Sequence, residues 1–289
     1  MKRLLIIGSG DIAKRVIPLL HRRYSMFALV RKNADRAHFR TLGVTPVAGD
    51  LDDRVSLERL AGLADTVLHF APPPPDGLRD TRTCHLLAAL SHGTMPKQLV
   101  YVSTSGVYGD CGGAAVNESH PLTPQTARAQ RRVDAEEQIR SWATFNRVKS
   151  VILRVPGIYA ADRLPLERLR QGTPCIFDGE DSYTNQIHAD DLARIVVAAL
   201  RKGSPCRVYH ASDDGEMKMG EYFDAVADAF GLQRPPRICR ADAQSVLPES
   251  MLSFIVESRR MTNQRLKREL KVRLRYPTVE DWLVTVKPA

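Results

Sequence analysis

A glycine-rich turn near the start of the chain has the composition of a phosphate-binding loop. The stretch GSGDIA spaces Gly8, Gly10 and Ala13 as G-x-G-x-x-A, between an apolar run and a helix-like stretch. Gly8 permits a tight turn, Gly10 lets backbone N–H groups approach a pyrophosphate, and Ala13 allows close helix–strand packing. The helix N-terminus adds partial positive charge. A dinucleotide site is therefore predicted, and an ordinary strand–turn–helix connection is the alternative. Its residues would be Gly8, Ser9, Gly10, Asp11, Ile12 and Ala13.

A basic pair follows the next apolar run. Arg31 and Lys32 stand where an acidic residue usually binds the adenosine ribose of NAD, and the first carboxylate is Asp35. A guanidinium group here can bind a 2′-phosphate through forked hydrogen bonds and stack on adenine. The pattern favours NADP (NADPH) as cofactor and makes NAD less favoured. A solvated basic turn is the alternative.

Two further arginines have a spacing suited to binding an anion. Arg128 and Arg132 lie four residues apart in TPQTARAQRRVDAEEQ, which begins like a helix, and so share one helix face. A guanidinium group stays protonated and cannot act as a general acid or base, but it can bind a carboxylate or phosphate in two-pronged fashion. A small-molecule substrate of anionic or polar character would suit this helix. The alternative is a solvated helix with ion pairs to Asp134 and Glu136.

The elements that carry these residues alternate regularly. Apolar runs predict strands at 3–7, 26–30, 45–48, 66–70, 98–102, 151–154 and 207–210, and helix-like patterns fall at 11–23, 78–91, 123–138, 166–171, 189–202 and 219–230. Short apolar strands separated by helices indicate parallel β-structure with right-handed crossovers, a Rossmann-type doubly wound α/β sheet. We expect a cofactor domain at residues 1–155, to which 186–204 returns, and a smaller C-terminal substrate lobe at 156–289.

Loops after the third and fourth strands complete the predicted cofactor site. Ligands bind outside the carboxyl ends of parallel strands. Asp50 and Leu51 would then reach the adenine edge, while Phe70, Ala71 and Pro72 would line the ribose and nicotinamide side. Loop capping is the alternative for both segments.

Composition narrows the classes of protein. The 289 residues are 43% hydrophobic and 26% charged, which is typical of a globular chain, and no apolar run reaches the roughly 18 residues of a membrane span. Five cysteines without paired or metal-like spacing predict no metal site and favour the cytoplasm. The net charge of +9 favours anionic partners, but it is spread along the chain and no base-reading motif occurs, so nucleic-acid binding is not expected.

Several motifs, taken in order, resemble a known family. With GSGDIA they are VYVSTSGVYGD at 100–110, RVPGIYA at 154–160, NQIHADDLA at 185–193 and YHASDD at 209–214. The chain resembles the extended short-chain dehydrogenase/reductase superfamily, and in particular its NAD-dependent epimerase/dehydratase group, over nearly its whole length. The G-x-G-x-x-A start replaces the family's usual G-x-x-G-x-x-G and indicates an atypical branch.

The resemblance implies roles for further residues. Thr104 would hydrogen-bond the reacting oxygen, Ser103 would face the cofactor, and Ser105 would contact substrate. The Pro156, Gly157 and Ile158 backbone would meet the nicotinamide carboxamide. A polar strand end that caps a turn is the alternative for the three hydroxyl residues. A homodimer through the helices after the fourth and fifth strands is also implied.

The same resemblance indicates a departure in the helix predicted at 123–138. The family places tyrosine, for proton transfer, and lysine four residues later on this helix, and alignment puts Arg128 and Arg132 at these positions. Arg132 could still bind the nicotinamide ribose. Tyr108 is the nearest other candidate proton donor by sequence. Tyr159 and His188 are further candidates in segments expected at the cleft mouth, where they and Asn185 would contact the substrate. Alternatively, His188 only orients its loop, and a bound water molecule or the substrate itself supplies the proton.

These inferences lead to two hypotheses. The first is an NADP-dependent oxidoreductase or epimerase/dehydratase-like enzyme, acting by hydride transfer on a carbonyl, hydroxyl or sugar-nucleotide-like substrate. The second is an NADP(H)-binding sensor or partner protein without turnover, which the missing Tyr-x-x-x-Lys pair suggests.

Overall fold

The computed structural model describes residues 1–31, 33–247, 252 and 255–286. The strands are β1 (Lys2–Ile7), β2 (Tyr24–Val30), β3 (Thr45–Ala48), β4 (Thr66–His69), β5 (Gln98–Thr104), β6 (Ala115–Val116), β7 (Lys149–Val155), β8 (Gly157–Tyr159), β9 (Cys175–Ile176), β10 (Tyr183–Thr184), β11 (Gln186–His188), β12 (Arg207–His210), β13 (Met217–Lys218), β14 (Arg237–Ile238) and β15 (Arg260–Met261). The α-helices are α1 (Asp11–Leu20), α2 (Asn33–Thr41), α3 (Thr81–Leu90), α4 (Ala127–Phe145), α5 (Leu166–Arg170), α6 (Ala189–Lys202), α7 (Met219–Ala229), α8 (Ala243–Val246), α9 (Gln264–Leu270) and α10 (Val279–Leu283). Short 3₁₀ helices cover Val55–Leu60, Ser105–Tyr108, Ala161–Arg163 and Asp178–Glu180.

Seven strands form the central sheet, in the order β12-β7-β5-β4-β1-β2-β3. Every neighbouring pair in this sheet is parallel. The order reverses between β1 and β4, so the carboxyl ends of these two strands flank a crevice. The predicted Rossmann-type doubly wound sheet is confirmed.

Both faces of the sheet are covered, as its apolar strands require. In β1, Leu4 and Ile6 point into a core that contains α1 and α6 residues, while Leu5 and Ile7 point into a second core formed with α3 and α4. All four side chains are completely buried. This alternation explains why β1 is a continuous apolar run: neither face meets water.

Most predicted elements occur with shifted ends. Helix α3 begins at Thr81 because the Asp80 side chain caps it by accepting a hydrogen bond from the Thr83 N–H group. Helix α2 was not predicted. Its sequence is largely polar, and among the helix side chains that the structure describes, Phe39 is the buried one.

A third core lies in the later part of the chain. It joins Tyr159 of β8, residues of α7 such as Phe223, and Trp282 of α10. Helix α6 belongs instead to the first core, where it packs beside α1. Within the described ranges, no helix is both long and apolar enough to cross a bilayer.

Candidate active site

A first cleft of about 660 Å³ opens at the carboxyl ends of the central strands. Its volume falls in the range of cofactor and ligand pockets. The cleft brings together the glycine-rich turn and the loops after β2, β3, β4, β5 and β7. Predicted residues that line it are Gly8, Ser9, Gly10, Asp11, Ile12, Ala13, Arg31, Asp50, Leu51, Phe70, Ala71, Pro72, Ser103, Thr104, Arg132, Pro156 and Ile158.

The glycine turn has the geometry of a cradle for a diphosphate. Gly8 has φ +91°, and a Cβ built on it would lie 2.4 Å from the Ala71 backbone nitrogen, so no larger residue fits. A Cβ on Gly10 would meet nothing within 4 Å, so its absence widens the cleft and is not required by the protein's own packing. Helix α1 begins directly afterwards, at Asp11. These residues fit a dinucleotide with its diphosphate at the helix N-terminus.

The far end of the first cleft carries mixed charge. Arg31 is exposed and lines it, as do Asp35 of α2 and Arg82 of α3. Arg82 is engaged by Asp52, with Nε–Oδ1 and Nη2–Oδ2 distances of 2.7 and 2.6 Å. Lys32, the other predicted basic residue, lies outside the described residues. The presence of Asp35 means that a ribose hydroxyl and a 2′-phosphate both have a candidate partner here.

An ion-pair cluster that sequence reasoning missed surrounds the helix start. Asp11 would repel a diphosphate, but its carboxylate pairs with Arg15 at 3.0 Å and Arg163 at 3.1 Å. Arg15 also contacts Asp190 of α6 at 2.6 Å. Arg163 lines the first cleft and brings positive charge from the segment after β8. Because Asp11 and Arg163 are far apart in the sequence, residue spacing could not predict their ion pair.

A second cleft of about 540 Å³ adjoins the first. Pro72, Thr104, Arg132 and Pro156 line both clefts, so the two spaces meet at the end of β5. The second cleft also contains the predicted residues Ser105, Arg128, Gly157 and Asn185. Thr104 therefore stands where a ligand in one cleft meets a ligand in the other.

The two arginines predicted to share a face of α4 both line the second cleft, and Arg132 also lines the first. Arg132 donates from Nη1 to the Tyr101 hydroxyl group at 3.0 Å and to the Val102 carbonyl oxygen at 2.9 Å. These two bonds orient the guanidinium group between the clefts. Arg128 is exposed at the start of α4 and lines the second cleft alone.

A buried polar network lies beneath the end of β5. The Ser103 hydroxyl donates to Glu136 Oε1 at 2.6 Å, and Arg154 binds both oxygens of Glu136, at 3.1 and 2.7 Å. Glu136 and Arg154 are 1% and 2% exposed. Ser103 lines the first cleft, but its hydroxyl proton is directed into this network. Glu136 thus pairs with the buried Arg154, and its Oε2 atom also lies 3.7 Å from Nη2 of Arg140 on the same helix.

Tyr108 belongs to the same network and does not line either cleft. It is completely buried, and its hydroxyl group lies 2.6 Å from Arg154 Nη1 and 2.5 Å from His210 Nε2. His210 Nδ1 lies 2.9 Å from the Thr262 carbonyl oxygen, so Nδ1 carries the proton and Nε2 accepts from Tyr108. Burial raises the pKa of Tyr108 to about 12. This placement corrects the assignment of Tyr108 as proton donor, because the hydroxyl faces the interior.

Tyr159 and His188 also lie away from both clefts. The Tyr159 hydroxyl donates to the Thr278 carbonyl oxygen at 3.2 Å, inside the third core. His188 caps α6 by accepting at Nδ1 from the Asp190 N–H group at 3.2 Å, and it packs against Tyr159 and Trp282. Burial lowers the pKa of His188. Substrate contact by these two residues is corrected to a structural role.

Sequence reasoning missed several residues of the second cleft. They are Tyr183 of β10, Arg131 of α4, and Glu257 and Arg259 before β15. The last three belong to ordinary basic or acidic stretches, and Tyr183 sits in a loop-rich segment without a motif. Asn185 donates to the Arg259 carbonyl oxygen at 2.9 Å and accepts from the Met261 N–H group at 2.7 Å, and these bonds hold the segment before β15 beside the cleft.

Comparisons with known proteins agree with a dinucleotide site in the first cleft. A sequence model described as NAD(P)H-binding matches residues 8–203. The chain belongs to the NAD(P)H-binding family. It has a nicotinamide cofactor, and the predicted relationship to extended short-chain dehydrogenases/reductases of the epimerase/dehydratase kind is confirmed.

Two curated relatives of this NAD(P)H-binding protein are named as enzymes. A human dTDP-D-glucose 4,6-dehydratase is 25% identical over 248 residues, covering 75% of this chain and 71% of that protein. A ketoreductase of Stigmatella aurantiaca, named for a 4-hydroxy-2-methyl-3-oxo-4-farnesyl-3,4-dihydroquinoline-1-oxide, is 25% identical over 287 residues, covering 92% and 85%. These relationships confirm the prediction of an enzyme of the oxidoreductase and epimerase class.

Solved structures share the fold along the whole chain. A conserved protein of unknown function from Silicibacter pomeroyi superposes with a TM-score of 0.79 and 26% identity, covering 99% of this chain and 98% of that one. A UDP-glucose 4-epimerase from Thermotoga maritima gives 0.77 at 17% identity, covering 97% and 96%. The second likeness concerns the fold alone.

Proposed function

We propose that the protein is an NADP(H)-dependent oxidoreductase or epimerase-like enzyme that acts on a carbonyl or hydroxyl group, within a sugar-nucleotide-like or similarly polar substrate. The observation that carries this proposal is the meeting of the two clefts at Thr104 and Arg132. The named activities of the curated relatives support it. The division into a cofactor domain at 1–155 and a substrate lobe at 156–289 remains part of the proposal, as do a homodimer and a cytoplasmic location.

In this proposal the first cleft holds the dinucleotide. The Gly8–Ala13 turn binds the diphosphate, and Arg31 binds the 2′-phosphate that distinguishes NADP from NAD. When bound, the nicotinamide supplies or accepts a hydride. Arg132 donates to ribose hydroxyl groups, and the Pro156–Ile158 backbone meets the carboxamide.

The second cleft holds the substrate, with its oxygen against Thr104. The Thr104 hydroxyl accepts a hydrogen bond from the Gly106 N–H group at 3.3 Å, which leaves its proton available for the substrate oxygen. Hydrogen bonding from Thr104 polarises a carbonyl and stabilises developing negative charge. Among the described tyrosines, Tyr183 is the one that lines a cleft, so we assign proton transfer to its hydroxyl group.

Site-directed variants test these roles. Thr104→Ala and Tyr183→Phe should each lower turnover of NADPH with a carbonyl substrate about 10²–10³-fold, while the Kd for NADPH changes less than about twofold. Tyr24→Phe, at the opposite end of the sheet, is the matched control. Undiminished turnover in either cleft variant would remove the role assigned to that residue.

A binding protein without turnover is the second candidate. It is favoured by the sequence between Asp110 and Arg147, which contains no tyrosine or lysine, so that the resemblance would put Arg128 and Arg132 at the positions of the family's proton-transfer pair. Such a protein would bind NADPH with the same Kd, oxidise none across a panel of carbonyl and sugar-nucleotide compounds, and change its association state on binding. Light scattering with and without NADPH distinguishes this candidate from the enzyme.

A further inference from the structure

We propose that the second cleft binds an acidic group of the substrate, a carboxylate or a phosphate, through Arg128 and Arg131 of α4. This inference rests on the proposed function, since it takes the second cleft as the substrate site. It adds the chemical class of the substrate and places its charged group beside the reacting carbon.

The charge of the cleft favours an anion. Its described lining contains Arg128, Arg131, Arg132 and Arg259 against one acidic residue, Glu257, which is a formal balance of 4 − 1 = +3. Glu257 is already held by Arg259, with Oε2–Nη2 at 2.7 Å. Among the described residues that line the cleft, Glu257 is the only carboxylate, so the net charge of this lining is positive. Low-dielectric walls strengthen the attraction of such a site for anions.

Two of these guanidinium groups are buried with incomplete hydrogen bonding. Arg131 and Arg259 are 8% and 7% exposed, and the Nε atom of each has no hydrogen-bond partner among the described residues. Arg131 donates from Nη1 to the Gly77 carbonyl oxygen, a neutral group that does not balance its charge. Arg259 is paired with Glu257, but no carboxylate among the described residues pairs with Arg131. A buried cation without an anionic partner is unfavourable, and an acidic ligand in the cleft would offset that cost for Arg131.

The position of α4 fixes where the acidic group would lie. Arg128 is the second residue of this 19-residue helix, so the helix dipole adds to its charge. Gly106 stands between the helix and Thr104: a Cβ built on it would lie 3.7 Å from Thr104 Cγ2 and 3.9 Å from Ala129 Cβ. The anion site is therefore close to the oxygen-binding residue. An oxo acid, a sugar acid or a sugar phosphate has this arrangement of charge and carbonyl.

Calorimetry on the NADPH-saturated protein tests the proposal directly. The probes are malonate for the carboxylate, inorganic phosphate for the phosphate, and dimethyl malonate as the uncharged counterpart. Arg128→Gln and Arg131→Gln should each weaken binding of the preferred anion at least about tenfold. Arg140→Gln, on the same helix and outside the lining of both clefts, should change it less than twofold.

The possible outcomes test the anion site and the proposed function separately. Tighter malonate binding identifies a carboxylate, and tighter phosphate binding a phosphoryl group. Failure of both anions to bind the NADPH-loaded protein, or equal losses in all three variants, overturns the anion site while leaving the proposed function intact. Failure of NADPH itself to bind overturns the proposed function. Because Arg128 is exposed, its variant should fold normally and decides the test even if Arg131→Gln is unstable.

Discussion

Replacement of Glu136 by glutamine should reveal how strongly the buried ion pair supports the sheet end beneath the active site. Glutamine keeps the size of the side chain and still accepts from Ser103, but it leaves Arg154 charged and 2% exposed, with no other carboxylate of the described chain in contact. Removal of one partner of a buried pair costs about 3–5 kcal/mol, since the remaining charge is desolvated without compensation. The free energy of unfolding of Glu136→Gln should fall by about that amount.

Urea unfolding followed by far-ultraviolet circular dichroism measures this change. Glu137→Gln is the matched control, because the neighbouring carboxylate is exposed and its loss should alter stability by less than about 0.5 kcal/mol. Combining Glu136→Gln with Arg154→Met should recover much of the loss, since no unpaired charge then stays buried. A loss below about 1 kcal/mol in the single variant would refute the argument that this pair is a tightly coupled buried unit.

Three other perturbations have defined outcomes. Gly8→Ala should lower both stability and NADPH affinity, because its Cβ would collide with the Ala71 backbone at a φ of +91°, and unchanged calorimetric binding would contradict this. Arg31→Asp should weaken NADPH binding by about tenfold or more and NADH binding far less, while equal losses would contradict a 2′-phosphate contact. Burial lowers the pKa of His69 and of His210 from 6.5 to about 3. Below pH 6.5 the unfolded chain therefore binds more protons than the folded protein, and the free energy of unfolding falls as the pH decreases. Each histidine should lower that free energy by about 2 kcal/mol between pH 7 and pH 5. Denaturant titrations at both pH values check this, and a flat profile would contradict it.

The fold was accessible from sequence because its signals are local. Apolar runs such as Leu4–Ile7 are buried on both faces, which only a covered parallel sheet provides, and the glycine spacing identifies the first crossover. Helix α2 was missed because most of it faces solvent and carries no apolar stripe.

The placement of site residues was accessible only in part. Residues at strand ends, such as Thr104, could be placed because parallel strands end together. Tyr108 could not be, since it lies only four residues after Thr104 yet its side chain turns inward to His210, a partner 102 residues away. Tyr183 and Arg259 reach the second cleft through long-range packing, for which spacing along the chain gives no signal.

The four consecutive prolines Pro72–Pro75 follow β4 and line one side of the second cleft. Prolines carry no N–H group, and the carbonyl oxygens of Pro72 and Pro73 already accept from Arg82 Nη1 at 3.3 and 3.2 Å. This side of the second cleft therefore offers few polar atoms and little torsional freedom. This side can therefore select ligands by shape: flat or apolar groups fit against it, and bulky branched groups do not. Hydrogen bonds and ion pairs to the ligand must come from the polar residues of the cleft, such as Arg128 and Arg131.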